Sequence, residues 1–340
     1  MQWQTVFDQI DAILHVDPEE ALKLCKQVFI ESYLWDPPIY VRAAERYGKI
    51  MDHLGRSSEA RFSLLAAQQA AQGSCLPIYE AKILERLARG YYTDGDYRRA
   101  NQYWDSCIAV INQTGGDAET WVLAKVGLAQ VCKGAGDHAT ALAMLNEAQA
   151  RTANIDDPHL DAKVRINLAV CLIELGRMAE ASAILLETFK SCTEHQLFDY
   201  LAESNLYLAK IALADGALER ATAYLDAAFA AARQVNFRWC EAHVYAVRAQ
   251  VLARNGDAGA ALLAVKEAQA IAMADGFSDM LIQQHYAAAD YAAALNDYAT
   301  ALAEYKAGHA CEQRLHGEPS LADRRLREFE GNQGTTKNPP

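Results

Sequence analysis

A glycine returns along this chain every 40 or 41 residues, at Gly55, Gly95, Gly136, Gly176, Gly216 and Gly256, and Asn296 takes the next place. A fixed internal period constrains the fold more than any local signal, because each copy must be one supersecondary unit. Five residues after each turn residue stands an alanine: Ala60, Ala100, Ala141, Ala181, Ala221, Ala261 and Ala301. Four residues later comes a large apolar position: Leu64, Trp104, Leu145, Leu185, Leu225, Val265 and Tyr305. Ala21 and Cys25 supply an earlier copy in which Val16 replaces the glycine. Glycine, and less freely asparagine, adopts the left-handed conformation that ends a helix sharply. A following Asp caps the next helix. The small residue then permits close helix approach, and the large one fills the space beside it. Such a hairpin cannot bury its own face, so copies stack. The expected fold is all-α, a right-handed superhelical solenoid of about eight antiparallel helix hairpins.

A Leu-Ala pair seven to eight residues before the turn recurs as Leu87-Ala88, Leu128-Ala129, Leu168-Ala169 and Leu208-Ala209, with Tyr47-Gly48 in an earlier copy. Small residues near the end of the second helix recur as Ala67, Cys107, Ala148, Ala228 and Ala268. With these, the chain resembles the tetratricopeptide-repeat family, in the longer form of about 40 residues found in bacterial regulatory proteins, including the sensory halves of diguanylate cyclases. The resemblance implies a non-enzymatic protein- or peptide-binding scaffold or regulatory module working through a concave groove. A second reading is a ligand-sensing module that relays through a C-terminal helix.

Composition narrows the classes. The 340 residues are 51% hydrophobic with a net charge of -12, which gives ample core and disfavours nucleic acid as partner. No apolar run is long enough for a membrane span and no signal peptide is recognisable at Met1, so a cytoplasmic protein is expected. Eight cysteines without a CxxC, from Cys25 to Cys311, read as reduced core residues. Metal and cofactor sites are not expected, since no two histidines make a helical ligand pair and Gly134-Ala135-Gly136 falls on an ordinary repeat turn. With no catalytic motif in view, an enzyme is not expected either.

In order, the chain opens with a helix over about Trp3 to Leu14 and a second starting at Asp17-Pro18; Pro37-Pro38, Pro77 and Pro158 then precede later first helices, where proline is tolerated. Repeats are expected over 1–316 and a capping or relay helix over 317–330, where Leu321, Leu326 and Phe329 share one face. Residues 331–340 read as a disordered tail. The capping helix would leave a monomer; the relay would give a homodimer.

In the tetratricopeptide family the first helix of each hairpin lines the groove, with inward positions about 13, 9 and 6 places before the turn. Those offsets give Arg42, Arg46 and Lys49, then Lys82, Arg86 and Arg89, then Leu123, Gly127 and Gln130, then Lys163, Asn167 and Val170. Further on they give Glu203, Tyr207 and Lys210. Six cations in two adjacent copies of an acidic protein point to a partner with an acidic segment or carboxylate. Against this, Glu45 to Lys49 and Glu85 to Arg89 have the spacing of solvated helix ion pairs. Asn167 resembles the family's backbone-holding asparagine.

Overall fold

The computed structural model describes residues 2–14, 17–32, 36–54, 56–115 and 117–316. Among them are sixteen helices, paired as the period requires, and no strand. They divide into two compact units, residues 1–184 and 185–340. The first unit holds α1 (Gln2–Ile13), α2 (Pro18–Ser32), α3 (Pro37–His53), α4 (Ser57–Gly73), α5 (Pro77–Thr93), α6 (Tyr97–Thr114), α7 (Ala118–Gly134), α8 (His138–Thr152) and α9 (Pro158–Glu174). α10 (Met178–Glu194) straddles the division. The second unit continues with α11 (Phe198–Ala214), α12 (Leu218–Gln234), α13 (Arg238–Arg254), α14 (Ala258–Asp275), α15 (Ser278–Ala294) and α16 (Tyr298–His316).

Each turn is built as its residues dictate. Gly95, Gly136, Gly176, Gly216 and Gly256 have φ between 75° and 84°, and Asn296 adopts the same left-handed region at 62°. Gly136 shows the closure: its N–H reaches the Lys133 carbonyl at 3.0 Å, and the Asp137 N–H reaches back to Cys132 at 2.9 Å. Asp137 then turns to the next helix and accepts from the Thr140 N–H at 3.0 Å. Asp96, Asp257 and Asp297 cap in the same way. The junctions between hairpins use the left-handed turn too, and there it falls on Cys75, Gln196 and Asn236 as well as on Gly115 and Gly276. A side chain at these sites carries a conformational cost that glycine avoids. The turn assigned to Gly55, the Val16 position, Gly116, and the expected helix and tail beyond His316 lie outside the described residues.

The alanines sit where helices approach closely. Ala21, Ala60, Ala100, Ala141, Ala181, Ala221 and Ala261 are all buried, as are Cys25, Leu64, Trp104, Leu145, Leu185, Leu225 and Val265 one turn on. The last copy differs, with Ala301 half-buried and Tyr305 exposed. One reading of the cysteines needs correction. Cys25, Cys107, Cys171, Cys192 and Cys240 are core residues, but Cys75 is exposed on a left-handed turn, and Cys132 and Cys311 are half-buried. Helix periodicity explains the first group, whereas the Cys75 turn carries no glycine to mark it.

Candidate functional site

In the first unit each first helix touches the next first helix, α1 with α3, α3 with α5, α5 with α7 and α7 with α9. These helices therefore form one continuous surface, and the residues at the groove offsets fall on it. Arg42, Arg46, Lys49, Lys82, Arg86, Arg89, Gln130, Lys163 and Asn167 are all half-buried rather than splayed into solvent.

Half-burial needs compensation, and acids supply it. Arg46 makes a forked pair with Asp11, 2.6 Å at its closest, and lies 4.6 Å above the Phe7 ring. Arg42 covers the same ring at 4.5 Å and donates to Gln4 at 2.6 Å. Lys82 approaches Asp117 at 3.5 Å. Arg86 is held by Glu85 at 3.1 Å, Asp52 at 3.3 Å and Glu45 at 3.9 Å. Arg89 pairs with Glu85 at 2.6 Å and Asp52 at 3.6 Å. Glu85 is itself in the core. Burial opposes its charge, yet Arg89 and Arg86 outweigh burial and hold its carboxyl below the usual range. Burial, then Asp117, pushes the Glu119 carboxyl up, while Lys82 and Lys49 act against the shift.

The expected basic patch is thus a network of alternating sign. Of the two helix pairs read from spacing, Glu85 to Arg89 forms, whereas Glu45 reaches Arg86 and Arg46 across and along the face. Asp11, Asp52 and Asp117 come from other elements or from the end of α3, and only the fold brings them in. The field a bare cation cluster would project is largely cancelled at its source.

Where this network meets α7 and α9 the surface hollows into a cavity of about 300 Å³. Arg89, Gln130 and Lys163 line it with Asp52, and Leu123, Val126 and Tyr92 give it an apolar side. The Gln130 amide stands 3.5 Å from the Asn167 carbonyl oxygen, and the Asn167 amide donates to the Lys163 carbonyl at 2.9 Å. The floor rests on a single pairing. Trp104 projects from α6 beneath the surface, and a Cβ on Gly127 would meet its ring at 2.2 Å. Other copies place Asn167 or Tyr207 at the Gly127 position and leucine at the Trp104 position. Glycine and tryptophan exchange volume here, and that exchange was readable in the sequence.

Tyr207 and Lys210 belong to the second unit, where the ammonium lies 5.0 Å from the Tyr207 ring centroid. Burial, and secondarily Lys210, push the His243 imidazole down to about 3, and Trp239 packs edge-on against it at 4.1 Å. Among the described residues no group of His, Cys, Asp and Glu could hold a metal ion. No helix among them is long and apolar enough to cross a membrane.

Stacked helical hairpins with a small-residue crossing and a continuous face of first helices define the class, a solenoid similar in fold to solved tetratricopeptide-repeat structures. A sequence model described as tetratricopeptide repeat matches residues 133–190. The solved structure of a Rap protein complexed with Competence and Sporulation Factor is similar over 94% of this chain and 99% of its own, with 13% identity and a TM-score of 0.68. Aspartyl phosphate phosphatase F from Bacillus subtilis is similar over 88% of this chain and 77% of its own, at 12% identity and a TM-score of 0.65. The apo quorum sensor NprR from B. thuringiensis is similar over 91% and 98%, at 11% identity and a TM-score of 0.59. At such identities the likeness is one of fold. No curated protein matches the sequence.

Proposed function

We propose that the chain is a binding module, not an enzyme, whose first-unit inner face holds an extended segment of a protein or peptide partner. The cavity lined by Arg89, Gln130 and Lys163 carries this reading, because it joins polar groups on three successive first helices to an apolar wall. Gln130 and Asn167 suit the backbone of such a segment. Lys163 and Arg89 suit one acidic side chain or a terminal carboxylate, which would compete with Asp52 for Arg89. The similar folds solved as a quorum sensor and in complex with Competence and Sporulation Factor support a regulatory role.

The test is capture of partners from a lysate by the wild-type chain and by Gln130→Ala with Lys163→Gln, with mass spectrometry of what is retained. A partner held by the wild type, lost by the variant and released by salt supports the reading. Equal retention by both chains refutes it.

A further inference from the structure

One hydrogen-bond donor at the floor of the cavity is left without an acceptor. The Trp104 indole Nε1 is buried and meets no partner among the described residues, and Trp104 as a whole is 2% exposed. A buried N–H normally finds an acceptor, because an unmade bond forfeits the one the group had with water. Trp104 and Gly127 both line the cavity, and the ring atoms nearest the place of a Gly127 Cβ are Cε2 and Cζ2, at 2.2 and 2.3 Å. Cε2 carries Nε1, so the donor edge of the indole lies on the Gly127 side. A group entering over Gly127 comes against that edge.

Packing alone does not ask for this residue. No other copy has tryptophan at the Trp104 place, and each of the others puts a side chain, from Ala287 to Arg86, where Gly127 stands. The unmatched donor and the gap above it therefore occur together, in the copy that holds the cavity.

The other lining groups define the acceptor that fits. Lys163 and Arg89 line the cavity from α9 and α5, and its one lining acid, Asp52, is already engaged by Arg86 at 3.3 Å and Arg89 at 3.6 Å. A carboxylate accepts through both oxygens and donates through neither, which matches an N–H beside two cations. Leu123, Val126 and Tyr92 form a wall along which the methylenes of a side chain can lie. A terminal carboxylate is attached to the backbone itself and has no such stem.

We propose that Trp104 Nε1 is a specificity donor of the cavity, and that with Lys163 it holds the carboxylate of an acidic side chain, of glutamate length, on the partner segment. This rests on the cavity being the partner's site, and it selects the side-chain carboxylate over the terminal one.

Heteronuclear NMR of the indole N–H groups, of which the chain has five, tests this with small probes. N-acetylglutamic acid α-amide carries only the side-chain carboxylate, N-acetylglutamine amide is its neutral counterpart, and N-acetylalanine carries only a terminal carboxylate. Replacing Trp104 by benzothienylalanine puts sulfur in place of the N–H at nearly the same shape. That chain identifies the Trp104 signal by its loss, and its urea midpoint shows that the packing is kept. The proposal predicts a saturable downfield shift of the Trp104 signal with the glutamate probe, and binding of that probe about tenfold weaker in the benzothienyl chain, read at the Gly127 amide. A Trp104 signal unmoved by the glutamate probe, moved as far by the glutamine probe, or moved most by N-acetylalanine overturns it. Equal affinity of the two chains for the glutamate probe overturns it as well. Capture from a lysate separates this failure from that of the reading beneath it. A benzothienyl chain that retains its partner as the wild type does, while Lys163→Gln loses it, removes Trp104 and leaves the partner site standing. Retention indifferent to Lys163→Gln removes the site itself.

Discussion

Gly127→Ala is the sharpest perturbation the first unit offers. Three atoms of the Trp104 ring lie 2.2, 2.3 and 2.7 Å from where the new methyl would stand, all inside contact distance, and Trp104 is 2% exposed with little room to retreat. Overpacking of a core costs about 1–3 kcal/mol, and a clash this deep belongs at the upper end. Alanine at a helix-interior site recovers about 1 kcal/mol over glycine, so the net loss expected is about 2 kcal/mol. Gly134 on the same helix is the control, since nothing lies within 4 Å of its added Cβ. Gly134→Ala should therefore be neutral or slightly stabilising. Urea unfolding followed by tryptophan fluorescence reads both. Combining Gly127→Ala with Trp104→Leu, the residue other repeats use, should recover part of the loss. A Gly127→Ala chain with an unchanged midpoint refutes the packing of α6 beneath α7.

Other predictions follow the same chemistry. Glu85→Gln leaves Arg86 and Arg89 short of their buried counter-charge and should cost about 3 kcal/mol in urea unfolding. Glu85 is held below the ordinary carboxylate value, so its stabilisation is present above 4.5 and is lost as acid protonates the folded state; acid titration of the wild type and of Glu85→Gln should converge at low pH. His243 is pushed down to about 3, so the folded state favours the neutral ring. Its contribution holds above 6.5 and declines as pH falls, and its NMR shifts should stay flat from pH 7 to 5. Ala221→Leu fills a sealed helix crossing in α12 and should cost about 1–3 kcal/mol by chemical denaturation.

The architecture was legible because its turn chemistry and its small-large pairing are local. Gly136, Asp137, Ala141 and Leu145 each do what their spacing implied. The turn at Cys75 escaped because a left-handed cysteine carries no compositional mark. The groove positions were found by offset, but their electrostatics were not. Asp11 meets Arg46 from 35 residues away, and Asp52 meets Arg86 from 34, distances at which only the stacked fold decides who is a neighbour. Counting cations along two helices missed acids arriving from the helices beside them. For that reason Arg86→Glu is a poor probe of binding, as it would set a fourth carboxylate among Glu45, Asp52 and Glu85 and unfold what it was meant to test.

Placing a photo-crosslinking residue at Gln130, inside the cavity, and separately at Gln102, exposed on α6, tests the binding claim most directly. Illumination in a lysate followed by mass spectrometry should give one polypeptide segment joined at position 130, absent at 102, and suppressed when Lys163→Gln is added. Crosslinks equal at both positions, or untouched by the loss of Lys163, would contradict a partner held on the inner face of the first unit.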